Sequence, residues 1–305
     1  MGIENKQEKQ IVFIAEVGSN YNDDLELAKR CIRASRDIGA NAVKFQTLRK
    51  RKLVAHQLWS SGSSKDNPVF NNFSNLELPD GWHYILKNEA DKHGIEFFST
   101  PFYLEAVELL EEVGVAIYKI ASGDITFLPL LEAVGRTGKR ILLSTGASSL
   151  ADVEKALNRL VQSGAGSITI LHCVSNYPPI WSEMNLRAIV QLKQEFGLPV
   201  GISDHTPGSL VPIAAVALGA TVIEKHVTFD RSLPGPDHGF AMTFEEFGSM
   251  VKEIRLLEQA LGTGEKIPTE SELAKQKRMR RGIYDPSTFT PTDNPNGLWL
   301  RPAWK

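Results

Sequence analysis

The chain has 305 residues, 42% hydrophobic and 23% charged, with a formal net charge of -2. That is ordinary soluble globular composition, and the near-neutral balance gives no support to nucleic-acid binding or a membrane-surface role. No apolar run approaches the roughly 18 residues that span a bilayer, and the polar stretch Met1 to Gln10 has no apolar core of a secretory signal.

In chain order, a polar tail (1–10) precedes a regular alternation of strand and helix patterns over 11–262, and an extension (263–305) follows it. Ile11–Val17 is a mostly apolar strand running into Glu16-Val17-Gly18-Ser19-Asn20. Leu25–Ile38 repeats apolar residues at helical spacing and closes at Gly39. Asn41–Gln46 is the second strand. Thr47–Leu78 is rich in Ser, Asn, Lys and Gly, breaks the rhythm and reads as an extended loop or lid. Pro79 opens a helix to Lys92, ended by Gly94. Strands Ile95–Ser99, Ala116–Ala121, Arg140–Ser144, Ser167–His172, Pro199–Ile202 and Ala220–Ile223 then alternate with helices. Those helices are Tyr103–Val113, Leu128–Thr137, Leu150–Ser163, Leu186–Phe196, Leu210–Leu218 and Thr243–Leu261. Two cysteines, Cys31 and Cys173, form no CxxC and no cluster, which reads as a reduced, cytoplasmic protein.

Eight such units imply an α/β protein with a parallel sheet and fit a closed (β/α)8 TIM barrel. The runner-up is an open doubly wound sheet, weakened because no GxGxxG follows the first strand. Every predicted strand carries polar residues at its C-terminal end, where barrels place active sites. They are Glu16 and Asn20; Lys44 and Gln46; Ser99 and Thr100; Lys119 and Ser122; Ser144 and Thr145; His172 and Ser175; Ser203, Asp204 and His205; Glu224, Lys225 and His226. His205 and His226 end neighbouring parallel strands, so their imidazoles can converge on a divalent metal. The adjoining acids, Asp204 and Glu224, are expected to support them. Lys44 and Lys119 lie within apolar strands. Pointing inward, a lysine is too costly to leave unpaired, so an anion is implied. Hydroxyls at Thr100, Ser122, Ser144 and Ser203, with Gly123 and Gly146 allowing close backbone approach, suit phosphate oxygens. Together these suggest a phosphorylated anion beside a metal ion that acts as a Lewis acid.

Ten motifs in one order carry a resemblance. They are Ala15-Glu16-Val17-Gly18, Lys44-Phe45-Gln46-Thr47, Phe98-Ser99-Thr100-Pro101-Phe102, Lys119-Ile120-Ala121-Ser122-Gly123, Leu143-Ser144-Thr145-Gly146, Leu171-His172-Cys173-Val174-Ser175, Tyr177-Pro178, Ser203-Asp204-His205-Thr206, Glu224-Lys225-His226 and Gly235-Pro236-Asp237-His238. From about Ile11 to Gly264 the chain resembles the sialic acid synthase (N-acetylneuraminate or nonulosonic acid synthase) family. The resemblance implies a transferase of carbohydrate biosynthesis, condensing phosphoenolpyruvate with the open-chain aldehyde of an N-acyl amino sugar. It implies Mn2+ or Mg2+ on His205 and His226, and Lys44, Thr100, Lys119, Ser122, Ser144 and Ser203 around phosphoenolpyruvate. Ser175 stands where some members have asparagine. Gln46, Tyr177, Glu224 and Asp237 would contact the sugar, and Glu16 would handle the water or a proton. A homodimer is expected.

Two features depart from that family. Its usual C-terminal antifreeze-like domain, which supplies an arginine to the partner's sugar site, is expected to be lacking, because 263–305 is short and proline-rich. That extension carries a charged helical stretch, Ser271–Arg281, and an apolar end, Leu298–Lys305, expected to pack on a barrel, its own or a partner's. The insert Arg49–Asn75 is unusual and is expected to set the sugar preference. Three further readings compete: a related synthase acting on a different sugar aldehyde, a catalytically degenerate binding or regulatory barrel, and a Schiff-base aldolase using Lys119.

Overall fold

The computed structural model describes residues 10–60, 62–73 and 76–302. All but Gln10 of the expected polar tail, and Ala303-Trp304-Lys305 of the apolar end, fall outside the described residues. Eight strands form the centre: β1 (Val12–Gly18), β2 (Ala42–Thr47), β3 (Glu96–Pro101), β4 (Ile117–Ile120), β5 (Arg140–Ser144), β6 (Ile168–Cys173), β7 (Val200–Asp204) and β8 (Val222–Thr228). Each pairs in parallel with the next, and β8 returns to β1, with Val12 opposite Val222 and Glu16 opposite His226. The sheet is therefore a closed (β/α)8 TIM barrel, as the alternation predicts. Helices α1 (Leu25–Asp37), α2 (Asp80–His93), α3 (Leu104–Val113), α4 (Leu128–Arg136), α5 (Leu150–Gln162), α6 (Ala188–Phe196), α7 (Leu210–Ala217) and α8 (Phe244–Leu261) follow the strands in turn.

Strands covered on both faces need apolar side chains on both, which is why they read as nearly continuous apolar runs. Phe13, Phe45, Phe97, Leu142, Ile170 and Ile223 are among the buried residues of that core. Asp24 caps α1 by accepting from the Glu26 and Leu27 amides, and Ser149 with Asp152 forms a capping box on α5. No helix among the described residues is long and apolar enough to cross a membrane.

Two local expectations need correction. The seventh and eighth strands extend past their apolar runs, to Asp204 and Thr228, so His226 lies within β8 rather than beyond it. The apolar run ends there, but the backbone ladder continues: Glu224 pairs with Ser203, and Glu16 with His226. The Thr47–Leu78 segment is also more than a loop. It holds a one-turn helix (Lys50–Leu53), an antiparallel hairpin of Gln57–Ser60 with Ser63–Asp66, and a 3-10 turn (Pro68–Phe73). All eight hairpin strand residues are exposed, so no apolar alternation announces them.

The chain divides into two compact units, meeting between Gln259 and Ala260. Within the second, a helix (Glu270–Met279) begins with a Thr269–Glu272 capping box. Gly282–Tyr284 pairs antiparallel with Leu298–Leu300.

Candidate active site

The pleat decides which strand-end residues meet. Side chains alternate faces along a strand, so Glu224 and His226 share the mouth of the barrel while Lys225 faces the other way. Lys225 Nζ is 2.6 Å from Asp204 Oδ2 and 2.6 Å from the Thr206 carbonyl. Asp204 also accepts from the Thr206 amide and hydroxyl. Neither acid beside the histidines hydrogen-bonds an imidazole, contrary to expectation. Sequence neighbours on a strand are not spatial partners. His172 likewise serves the scaffold, with Nε2 2.7 Å from the Met184 carbonyl.

Inside the mouth the charges interlock. Lys44 Nζ lies 2.9 Å from Glu16 Oε2, 3.1 Å from Thr100 Oγ1 and 3.9 Å from Glu224 Oε2. Lys119 Nζ and Ser203 Oγ both donate to Glu224 Oε1, at 2.7 and 2.8 Å. Gln46 Nε2 donates to Glu16 Oε1 at 2.9 Å. Burial pushes the Glu16 carboxyl up to about 7 against the pull of Lys44, with the charge of Glu224 adding to the rise. Burial alone would raise Glu224 too, but Lys119 and Lys44 overcome it and hold that carboxyl down at about 2. Two lysines thus face a firmly ionised Glu224 and a Glu16 whose ionisation burial opposes, so their ammonium groups are placed to donate to an anion entering the mouth.

Next to the lysines is a hydroxyl-lined recess. Ser122 Oγ accepts from the Gly146 amide at 2.9 Å. A Cβ on residue 146 would stand 2.1 Å from Ser175 Oγ and 2.8 Å from Ser122 Oγ, so only glycine leaves these groups in place. Ser144 Oγ is buried with no hydrogen-bond partner. Burial pushes the Cys173 thiol up, so it stays protonated and is no nucleophile.

His205 and His226 stand at the far side, ring centroids 5.4 Å apart. His205 Nδ1 lies 3.4 Å from the Val174 carbonyl, an acceptor, which leaves Nε2 with its lone pair. His226 Nδ1 is buried without a hydrogen-bond partner, and the nearest acid is Asp237, with Oδ2 3.7 Å away. Burial lowers His205 to about 4 and His226 well below its usual value. Two neutral imidazoles, one with an orphaned nitrogen, fit a divalent cation. Among the described residues no group of three or more His, Cys, Asp or Glu side chains is arranged to hold a metal, so water or substrate would complete the coordination.

Asp237 accepts from Ser19 Oγ at 3.3 Å. Gly18, at φ +56°, would place a Cβ 3.3 Å from each of Asp237 Oδ2, Gln46 Nε2 and Glu16 Oε1. The Tyr177 ring packs against His205, centroids 4.4 Å apart and tilted by 57°. Most residues singled out from the sequence therefore gather at one barrel mouth. Asp204, Lys225 and His172 do not, and neither do Ser99, bonded to Thr47, and Thr145, whose hydroxyl donates to the Leu171 carbonyl. Three neighbours escaped sequence reading. Phe240 packs against both imidazoles, Ser19 bonds Asp237, and Asp124 is buried two residues past Ser122 with Oδ2 unpartnered. Only Ser19, beside a strand end, carried any signal.

Most of the chain is similar to known proteins. The NeuB family model matches residues 31–266. An N,N'-diacetyllegionaminic acid synthase of Campylobacter jejuni is 40% identical over 310 residues, covering 95% of this chain and 92% of that protein. A synthase of the same name from Legionella pneumophila is 42% identical over 280 residues, covering 89% and 79%. A solved N-acetylneuraminic acid (sialic acid) synthetase of Leptospira borgpetersenii, in complex with citrate, is similar with a TM-score of 0.81 and 35% identity, covering 88% of this chain and 90% of that one.

Proposed function

The chain belongs to the NeuB family of phosphoenolpyruvate-dependent condensing enzymes, and on that premise we propose that it joins phosphoenolpyruvate to the open-chain aldehyde of an N-acyl amino sugar. The products are a 2-keto-3-deoxy nonulosonic acid and phosphate. The observation that carries the reading is the juxtaposition of two neutral imidazoles with a lysine-flanked, hydroxyl-lined recess in one barrel mouth. Both relatives named above are synthases of N,N'-diacetylated products, so a di-N-acyl amino sugar is the first substrate to test.

Phosphoenolpyruvate is a polyanion. Lys44 and Lys119, with the hydroxyls of Thr100, Ser122, Ser144, Ser175 and Ser203, supply charge-assisted donors for its phosphate and carboxylate. A divalent cation (Mn2+ or Mg2+) on His205 and His226 would polarise the aldehyde and stabilise the negative charge that develops on its oxygen. Gln46, Tyr177, Asp237 and Glu224 orient the sugar. Glu224 stays ionised between Lys119 and Ser203, and so is suited to answer positive charge at C2 after the new C–C bond forms. Water then adds at C2, and cleavage of the C–O bond expels phosphate. Glu16, with a carboxyl near neutrality, can hold and return a proton in that step. We also read the working enzyme as a cytoplasmic homodimer.

The test is a panel of N-acyl and di-N-acyl amino sugars with phosphoenolpyruvate and Mn2+, following phosphate release. Release with at least one sugar, absent in His205→Ala, is expected. Silence with every sugar, in a protein that still binds phosphoenolpyruvate, would reject catalysis in favour of a binding barrel.

A further inference from the structure

The loop that leaves β8 carries a histidine with no part in the chemistry above. His238 is almost fully buried. Its Nε2 lies 2.9 Å from Asn22 Oδ1, which only accepts, so Nε2 carries the ring proton. Its Nδ1 then accepts from the Thr228 hydroxyl at 2.7 Å. One ring thereby ties together the end of β8, the loop after β1 and its own loop. Gly235, at φ +150°, closes on the same ring: a Cβ there would stand 2.9 Å from His238 Cδ2. The Ala241 amide donates to the Asp237 carbonyl at 3.2 Å, so the anchored segment is a tight turn, and Phe240 sits on it.

From that turn the Phe240 ring reaches both imidazoles edge-on. Its centroid is 5.1 Å from that of His226 at 70°, and 5.8 Å from that of His205 at 80°. Edge-to-face contact fixes the relative planes of the rings. A ligating imidazole needs its plane fixed, usually by a hydrogen bond from its other nitrogen. His205 has only a long one, 3.4 Å to Val174, and among the described residues His226 has no hydrogen bond on either ring nitrogen. The orientation of His226 therefore falls to packing, and Phe240 is the ring that touches both histidines.

We propose that Phe240, held by the His238 anchor, is a positioning residue that sets the planes of His205 and His226 for a divalent cation. This rests on the two-imidazole reading of the metal site. Binding of Mn2+ is measured by electron paramagnetic resonance of the free ion, with phosphoenolpyruvate binding and thermal melting on the same samples. His205→Ala tests the underlying reading: if it binds Mn2+ as the wild type does, that reading is wrong and the proposal falls with it. With His205→Ala deficient, Phe240→Leu and His238→Ala are expected to weaken Mn2+ binding about tenfold, with phosphoenolpyruvate binding unchanged. Phe240→Tyr, which keeps the ring edge, is expected to restore affinity to within about threefold of wild type. Unchanged Mn2+ affinity in Phe240→Leu overturns the proposal. So does loss of metal and phosphoenolpyruvate binding together, which would make the ring a mere packing element, and so does a Phe240→Tyr variant as weak as Phe240→Leu.

Discussion

Asp124 is a buried carboxyl with nothing to answer its charge. No lysine or arginine pairs with it among the described residues, its Oδ2 has no hydrogen-bond partner, and burial pushes it up to about 6. The sign follows from linkage. A carboxyl whose folded pKa lies above its unfolded value makes the native state less stable as pH rises through that interval. Wild type should therefore lose stability relative to Asp124→Asn between about pH 4 and pH 6, and the gap should stay constant above that. Asparagine also bears a desolvation cost, but the same one at every pH. The change in that gap across the interval should be about 3 kcal/mol, read from urea unfolding of the ligand-free protein across pH. A difference that does not change with pH would show that the carboxyl is not desolvated.

Lys119 and Glu224 must be judged together, because both are buried and 2.7 Å apart. Replacing the lysine strands a carboxylate that the lysine helps hold ionised. Lys119→Met should cost about 3 kcal/mol of stability at neutral pH and lower phosphoenolpyruvate affinity about 100-fold or more, since one of two ammonium groups is gone. Calorimetric titration alongside unfolding separates the two effects. Loss of stability with affinity intact would remove Lys119 from the phosphoenolpyruvate site.

At the level of elements, β7 and β8 show what a sequence can and cannot tell. Their existence is legible, because strands covered on both faces must be apolar. Their ends are not, since Ser203, Glu224 and His226 terminate an apolar run but not a hydrogen-bond ladder. The convergence of the histidines is legible from strand parallelism, whereas the reading of Asp204 as a partner of His205 ignores the alternation of faces. Phe240 sits in an irregular loop and Asp124 in a single 3-10 turn, Ser122–Asp124, both too short for any periodicity to predict a spatial neighbour. The exposed hairpin 57–66 lacks the apolar signal that would reveal it. Glycines make the difference between element and site testable. A Cβ at Gly201 would meet the Val222 carbonyl oxygen at 2.5 Å and Leu171 Cδ2 at 2.8 Å, so β7 would have to move away from its neighbours. Gly201→Ala should lose about 3 kcal/mol. Gly146→Ala meets only serine hydroxyls at its closest points, which can rotate, so it should melt like wild type yet bind phosphoenolpyruvate poorly. Equal melting temperatures for the two variants would contradict this.

For the whole molecule, the decisive feature is closure. Glu16 comes from β1, Lys44 and Gln46 from β2, Thr100 from β3, Lys119 from β4, Ser203 from β7, and Glu224 and His226 from β8. No contiguous part of the chain holds them, so the proposed anion and metal sites can form only when β8 pairs with β1. Anything that binds there binds the folded state alone and must stabilise it by mass action. Phosphoenolpyruvate at 100 times its Kd should add about 2.7 kcal/mol, a rise of about 5 °C in melting temperature for a chain of this size. Mn2+ should contribute a separate increment, because the imidazoles come from β8 and from just past β7 while the two lysines come from β2 and β4. His205→Ala should then lose the metal increment and keep that of phosphoenolpyruvate, while Lys119→Met does the reverse. Both increments vanishing together in either variant would mean that the two ligands share one set of contacts, and the separation of a metal from a cradled enol phosphate would have to be abandoned.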